Sequence, residues 1–123
     1  MANTFTRKTS KGVGTSYFQV GANEAGADKI GRYAVGSSTT TTVIGFSVAN
    51  VTSSSLDVTV ALSATMENET NDIKLADSVP LPSGSVLVLV GGDQKLNMIE
   101  NDLIKVKTST GTVDVVMSIL EIT

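Results

Sequence analysis

The sequence predicts an all-β protein: a single-domain antiparallel β-sandwich of the jelly-roll or immunoglobulin-like type, covering residues 1–123. Thr and Ser together number 30 residues and Val and Ile number 23, and β-branched side chains favour the pleated surface of a sheet. No segment carries the sustained apolar stripe of a helix. Short apolar segments alternate with turns rich in Gly, Asn and Asp, which predicts about seven to nine strands.

Strands are weakly marked in the first third of the chain. Residues 4–8 and 13–20 are predicted to form two short strands on either side of a turn at residues 10–12. Residues 21–31 are small and polar with regularly spaced glycines, so we expect an exposed loop there. Residues 32–35 are predicted to form a further short strand.

The middle of the chain holds the clearest strand signal. Every even-numbered residue in the segment 56–66 is apolar and most odd-numbered ones are polar, which predicts a strand with one buried face. Residues 39–50 precede it and place Ile44, Phe46 and Val48 on one face. Because a short polar connection separates these two strands, we expect them to form a hairpin.

Two further strands and a pair of prolines follow. After a polar turn at residues 67–72, residues 73–79 are expected to pair back onto the preceding strand. Pro80 and Pro82 lack the amide donor that a ladder requires, so they must lie away from a central sheet position. Residues 85–90 are apolar on both faces, which is typical of a strand covered on two sides.

The chain closes with three more strands. Residues 95–99 and 103–107 flank a turn at residues 100–102, where Asn and Asp side chains favour a turn. The last predicted strand, residues 112–122, carries an apolar set on each face. One set consists of Val113, Val115, Met117 and Ile119, and the other of Val116, Leu120 and Ile122.

The second apolar face of residues 112–122 and the doubly apolar segment 85–90 both require cover. Unblocked apolar surface and strand edges invite pairing with other chains. In one interpretation, neighbouring molecules in an assembly supply this cover. In the alternative, the N-terminal strands wrap over these segments within one subunit.

The composition excludes most enzyme chemistry. Cys, His and Trp are all absent, which rules out disulfides, thiol nucleophiles, Cys/His zinc sites and Ser-His-Asp triads. We therefore expect a non-enzymatic structural or binding module, and we assign no catalytic, cofactor-binding or metal-binding residue.

The charge distribution bears on partners and location. The net charge of −3 divides into +3 for residues 1–32 and −6 for the remainder. A weakly acidic body does not attract phosphate backbones, so we expect no direct nucleic-acid binding. The sequence shows no secretory signal and no apolar run of about 20 residues, so we expect no membrane association and a cytosolic origin.

Three motifs suggest a binding site, but each lacks a feature that such a site requires. The acidic turn at residues 67–72 offers oxygen ligands for calcium but lacks the spacing of a calcium-binding loop. Residues 26–33 have the glycine spacing of a phosphate-binding loop, yet Arg and Tyr occupy the Lys-Ser/Thr positions. Tyr17 and Phe18 are consecutive and face opposite ways on a strand, so one is expected in the core and the other at the surface.

The N-terminal segment is the strongest candidate for a docking element. Residues 1–12 carry three of the nine basic side chains and an aromatic ring. We expect them to act as an arm that docks on an acidic neighbour, and the alternative is a solvated terminal strand. The candidate docking residues are Phe5, Arg7, Lys8 and Lys11.

The opening, a central segment and the tail of the chain resemble a family of small virion structural proteins from tailed phages, especially those of marine and cyanobacterial hosts. The opening NTFTRKTS at residues 3–10 and the segment TVIGFSVAN at residues 42–50 carry it, and so does the tail, from PSGS at residues 82–85 through GGDQK at residues 91–95 to SILEIT at residues 118–123. The resemblance covers most of the chain. The resemblance does not extend to residues 17–38 and 63–78. The shared segments are packing and turn motifs rather than catalytic ones.

The resemblance implies a structural component of a phage particle, made in the host cytoplasm and located in the virion. The expected function is capsid decoration: a homo-oligomeric cement protein that stabilises the head by binding the major capsid protein. The alternative is a neck, collar or tail component that forms a ring or a fibre-attachment adaptor on neck or tail proteins. A carbohydrate-binding module is a third interpretation, which the presence of only five aromatic residues disfavours.

Overall fold

A computed structural model describes residues 3–15, 17–20, 35–63, 72–91, 95–100 and 102–123. These residues form nine β-strands and no helix, so nothing in this part of the chain could cross a membrane as a helix. The prediction of an all-β fold is confirmed. The strands are β1 (Asn3–Val13), β2 (Phe18–Gln19), β3 (Thr40–Asn50), β4 (Leu56–Ser63), β5 (Asp72–Leu81), β6 (Val86–Val90), β7 (Leu96–Met98), β8 (Leu103–Thr108) and β9 (Val113–Ile122).

The strands form two sheets in which every pairing is antiparallel. The large sheet has the order β1-β9-β3-β6, with β7 also paired to β3, and the small sheet has the order β2-β8-β4-β5. The pairs are nested, since β1 pairs with β9, β2 with β8, β3 with β6 and β4 with β5. One long hairpin rolled into two sheets is the jelly-roll arrangement, which decides between the two predicted sandwich types.

The two sheets enclose an apolar core between them. Alternate residues of β9 point into it, and Val113, Val115, Met117 and Ile119 are all buried, as the sequence predicted. The small sheet contributes apolar side chains that are also fully or almost fully buried. They include Val58 and Val60 from β4 and Ile104 and Val106 from β8.

Strand β3 lies where the sequence predicted it, but its alternation of buried and exposed residues shifts by one residue near the middle. Phe46 and Val48 are buried as expected, whereas Ile44 is only half-buried and Val43 is buried in its place. The register with β9 shifts between Val43 and Gly45. A bulge of this kind inserts one residue into the alternation, so a strict period of two cannot hold across it.

The predicted hairpin between residues 39–50 and 56–66 is wrong. Strand β3 belongs to the large sheet and β4 to the small sheet, so the connection between them crosses the sandwich. The buried side chain of Asn50 accepts a hydrogen bond from the amide of Thr52 and donates one to the carbonyl oxygen of Ser54. These bonds fix the connection as a corner between the two sheets rather than as a hairpin turn.

The single chain does not cover residues 85–90 on both faces, contrary to the prediction. Strand β6 lies at the edge of the large sheet, with Val86 55% exposed and Val88 62% exposed. On the opposite face, Leu87 packs half-buried against the core, and Val90 joins this buried side beyond a shift of register against β3. A doubly apolar strand therefore has one uncovered face here.

Other predictions meet mixed outcomes. The pairing of β5 with β4 is confirmed, and Pro80 lies on β5, which is the edge strand of the small sheet. At the predicted turn of residues 100–102, the amide of Asp102 donates to the carbonyl oxygen of Ile99, and the amide of Ile99 donates to Oδ2 of Asp102; Asn101 itself lies outside the described residues. The predicted loop at residues 21–31 lies outside the described residues.

Candidate docking surface

Strand β1 contains the predicted docking arm and is built into the large sheet. It replaces the predicted short strand at residues 4–8 with one strand that runs from Asn3 to Val13. Its register with β9 is unbroken from Asn3 beside Ile122 to Ser10 beside Val115. No other described strand pairs with β1, which therefore forms one edge of this sheet. The candidate site is a strand edge rather than a separate arm.

The four candidate docking residues lie on different faces of β1. Phe5 is 72% exposed and Arg7 is also exposed, and both point to the outer face because they alternate with inward-facing positions. Lys8 is aligned with buried Met117 and belongs to the opposite face, where it is half-buried. The structure thus brings Phe5 and Arg7 together and separates Lys8 from them.

Lys11 lies in an irregular part of the strand. The register with β9 shifts between Ser10 and Val13, and Gly12 has a φ of 72°. The amide of Gly12 donates to Oδ1 of Asp114 across 3.0 Å. This arrangement is typical of a β-bulge, which bends an edge strand, and it leaves Lys11 exposed.

The outer face of the large sheet carries apolar side chains among small and polar ones. Thr9, Val116, Ser47 and Val88 lie side by side across four adjacent strands. We use the term outer patch for the apolar side chains of this face. They are Phe5, Val86, Val88, Val116, Leu120 and Ile122, of which the first four are exposed and the last two are half-buried.

The outer patch shows whether the N-terminal strands cover the second apolar face of β9, which the sequence left open. Strand β1 extends the large sheet sideways and pairs edge to edge with β9, so it does not wrap over the face of β9. Val116 on β9 consequently stays 43% exposed. Within the described part of the chain, the interpretation that the N-terminal strands cover this face is wrong.

The outer face of the small sheet is polar by contrast. The ring of Tyr17 lies beneath two ammonium groups, with Nζ of Lys105 at 4.9 Å and Nζ of Lys107 at 4.6 Å from its centroid. Phe18 is buried, so the prediction that these two neighbouring aromatic residues divide between surface and core is confirmed. Lys107 also lines an open cleft of about 200 Å³, together with Thr15, Asp57, Thr59, Ser78, Thr108 and Ser109.

This contrast between the two outer faces could not be found from the sequence. The alternation along each strand predicts which residues share a face, but the approach of Tyr17 to Lys107 depends on the pairing of β2 with β8. Nothing in the local sequence of a two-residue strand predicts that pairing. The exposure of Val86 and Val88 was missed because a doubly apolar strand gives the same signal whether one face or two are covered.

The metal and phosphate candidates from the sequence fall almost wholly outside the described residues. In residues 3–15, 17–20, 35–63, 72–91, 95–100 and 102–123, no three acidic side chains cluster as metal ligands would. The calcium candidate at residues 67–72 and the phosphate-loop candidate at residues 26–33 lie outside this set, apart from the backbone of Asp72. What the described surface offers is an edge strand, an apolar face and a polar face.

Comparisons with known proteins identify no family. No protein-family profile matches the chain, and no curated protein matches it significantly. A solved structure described as "Bacillus endospore appendages form a novel family of disulfide-linked pili" is similar, with 10% identity and a TM-score of 0.49. The match covers 97% of this chain and 85% of that one. The present chain contains no cysteine.

Proposed function

We propose that this protein is a non-enzymatic structural component of a tailed-phage virion, bound to the major capsid protein as a decoration or cement protein. The observation that carries the proposal is the long, regular and basic edge strand β1, which leaves one side of the large sheet open for pairing. The resemblance of residues 3–10 to phage virion proteins supports it, because these residues are the regular part of β1.

Strand β1 differs from every other described edge of the sandwich. Strand β2 has two residues, β6 has five and β7 has three. Strand β5 is longer but contains Pro80 and two shifts of register against β4. Proteins limit unwanted strand pairing by such short or interrupted edges. Only β1, among the described edges, keeps a regular register over residues 3–10 without a proline.

The charge of β1 indicates which kind of chain it accepts. Arg7, Lys8 and Lys11 give it three positive charges and no negative one. Like charges on paired strands are destabilising, so two copies of β1 are poor partners for each other. An acidic extended segment on a capsid subunit is a suitable partner, because it can add a strand and oppose these charges. Repetition of this contact around a symmetric shell strengthens the attachment of every subunit it bridges.

The docking element is tested by charge reversal on β1. Phage heads that lack the protein are mixed with purified chain, and the bound copies are counted by quantitative mass spectrometry. We expect the double variant Arg7→Glu with Lys11→Glu to lower occupancy at least about tenfold. The control is Lys74→Glu with Lys95→Glu, which changes the net charge equally at exposed positions outside β1. Equal occupancy for both double variants would refute docking through β1.

The place on the virion is tested separately by copy number. A decoration protein is expected in numbers on the order of hundreds per particle, comparable to the major capsid protein, because it follows the symmetry of the shell. About a dozen copies would instead place the protein at the unique vertex and favour the neck, collar or tail. Absence from purified virions would contradict both.

A further inference from the structure

The outer patch concentrates the exposed apolar side chains of the molecule on one face. Seven large hydrophobic residues are exposed in the described part of the chain, and four of them belong to this patch. These four are Phe5, Val86, Val88 and Val116. The other three, Val51, Ile73 and Ile99, are scattered over other elements, as is normal for single exposed residues.

The surroundings of the patch suit packing against another sheet. Small residues separate the larger side chains: Ser47 lies between Val116 and Val88, and Ser118 lies between Arg7 and Gly45. Sheets pack face to face at about 10 Å when large side chains of one face enter the spaces above small ones of the other. The outer patch offers both the large side chains and the small neighbouring residues that such packing requires.

The charges of this face are compatible with a second copy. Ser10 and Val13 of β1 are buried and pair with Val115 and Val113, so Lys11 lies opposite Asp114 on the outer face. The charged residues of the outer face on β1 and β9 are therefore Arg7, Lys11 and Asp114. Because the face carries both signs, Asp114 of one copy can oppose Arg7 or Lys11 of the other in a two-fold pair.

The size of the face is sufficient for a weak but specific dimer. Four strands spaced about 4.8 Å apart, each rising about 3.4 Å per residue, give roughly 600 Å² for each copy. Two copies would together bury about 1,200 Å², which is the lower end of the range for specific interfaces. An interface of this size is consistent with a dissociation constant on the order of micromolar.

We infer that the outer patch is a self-association surface, against which the same face of a second copy of this chain packs. In such a two-fold arrangement the same residues serve on both sides, so each substitution counts twice. The two sandwiches then stack as four layers, and Val88 and Val116 become buried. This inference is independent of the proposed attachment to a phage particle, because the purified protein alone suffices to test it.

The test is sedimentation equilibrium of the full chain from about 1 to 500 μM, a range that spans the dissociation constant expected for this area. We expect the wild type to be a dimer at the upper end. Val88→Lys and Val116→Lys should each raise the dissociation constant at least about thirtyfold, because each places two charges in the interface. The matched control is Ile73→Lys, since Ile73 is 52% exposed on β5 of the small sheet.

A second readout separates loss of dimer from loss of folding. The melting temperature of a dimer rises with protein concentration, whereas that of a monomer does not. Val88→Lys should remove this concentration dependence and keep the melting temperature of the dilute wild type. A wild type that stays monomeric up to about 500 μM would overturn the inference and leave the face to a different protein. An effect of Ile73→Lys equal to that of Val88→Lys would overturn it as well.

Discussion

The side-chain nitrogen of Asn50 donates to the carbonyl oxygen of Leu81 across 2.9 Å. Asn50 ends β3 and Leu81 ends β5, so the bond joins the two corners at which the chain passes between the sheets. The same nitrogen donates to the carbonyl oxygen of Ser54, and the side-chain oxygen accepts from the amide and the hydroxyl of Thr52. Asn50 is 2% exposed and uses both its donors and both its acceptor sites.

Replacement of Asn50 should therefore destabilise both corners together. Asn50→Ala removes four hydrogen bonds from a buried position, and we expect the free energy of unfolding to fall by about 2–4 kcal/mol. Denaturant unfolding monitored by circular dichroism gives this value. Asn97→Ala is the control, because Asn97 is exposed and accepts one bond from Thr42; we expect about 1 kcal/mol or less. Equal losses in the two variants would contradict the proposed role of Asn50.

Gly111 and Gly84 form a matched pair for separating backbone strain from crowding. Both have a positive φ, 69° at Gly111 and 75° at Gly84. A Cβ at Gly111 would lie 3.1 Å from Cγ2 of Thr52, whereas one at Gly84 would meet nothing within 4 Å. We expect Gly84→Ala to lower the free energy of unfolding by about 1 kcal/mol. Gly111→Ala should cost about 1 kcal/mol more, because the Thr52 methyl group must also move.

The same unfolding measurement can be repeated on Gly111→Ala combined with Thr52→Ser, which removes the crowding methyl group. The double variant should lose no more stability than Gly84→Ala. If Gly111→Ala and Gly84→Ala are equally stable, the close approach of Thr52 has no energetic effect.

Thr59 supports an unusual backbone position on the neighbouring strand. Its Oγ1 accepts a bond from the amide of Ser78 across 3.0 Å, and Ser78 has a φ of 51°. Thr59→Val keeps the shape of the side chain and removes the acceptor, so we expect a loss of about 1–2 kcal/mol in the free energy of unfolding. Thr59→Ser keeps the acceptor, so most of this contribution to the free energy of unfolding should be preserved. Hydrogen exchange at the Ser78 amide should accelerate in Thr59→Val alone.

The contact of Tyr17 with Lys105 and Lys107 should contribute measurable stability. Each ammonium group lies within the distance at which a cation is attracted to an aromatic face, an interaction of about 0.5–1 kcal/mol at exposed sites. Tyr17→Leu should therefore lower the free energy of unfolding by about 1–2 kcal/mol, while Tyr17→Phe keeps the ring. A double-mutant cycle between Tyr17→Leu and Lys107→Met isolates the pair. A coupling energy of zero would refute the interaction.

The sequence predicted the strands better than their partners. The alternation in residues 56–66 and 112–122 correctly indicated the buried positions Val58, Val60 and Val115, because period two reports burial directly. Pairing is a property of two distant segments, so the hairpin between β3 and β4 was inferred from their proximity in the chain alone. The side chain of Asn50 redirects the chain at that point, and its polar character is equally compatible with an ordinary turn.

The candidate docking surface was predicted in part. Phe5 and Arg7 do lie on one exposed face, and strand alternation predicts that they share it while Lys8 faces away. Val88, which lies more than 80 positions further along the chain, completes the same surface. Its contribution depends on the order β1-β9-β3-β6, which no local pattern contains.

The nested pairing of the strands has a consequence for how the chain folds. Among the described strands, only β4 and β5 pair across a short separation, whereas β9 fits between β1 and β3, which precede it by many residues. Closing such distant segments carries a large entropic cost, so we expect slow folding that proceeds outward from the β4–β5 hairpin. During synthesis on the ribosome, the large sheet keeps a gap at its centre until residues 113–122 emerge and fill it.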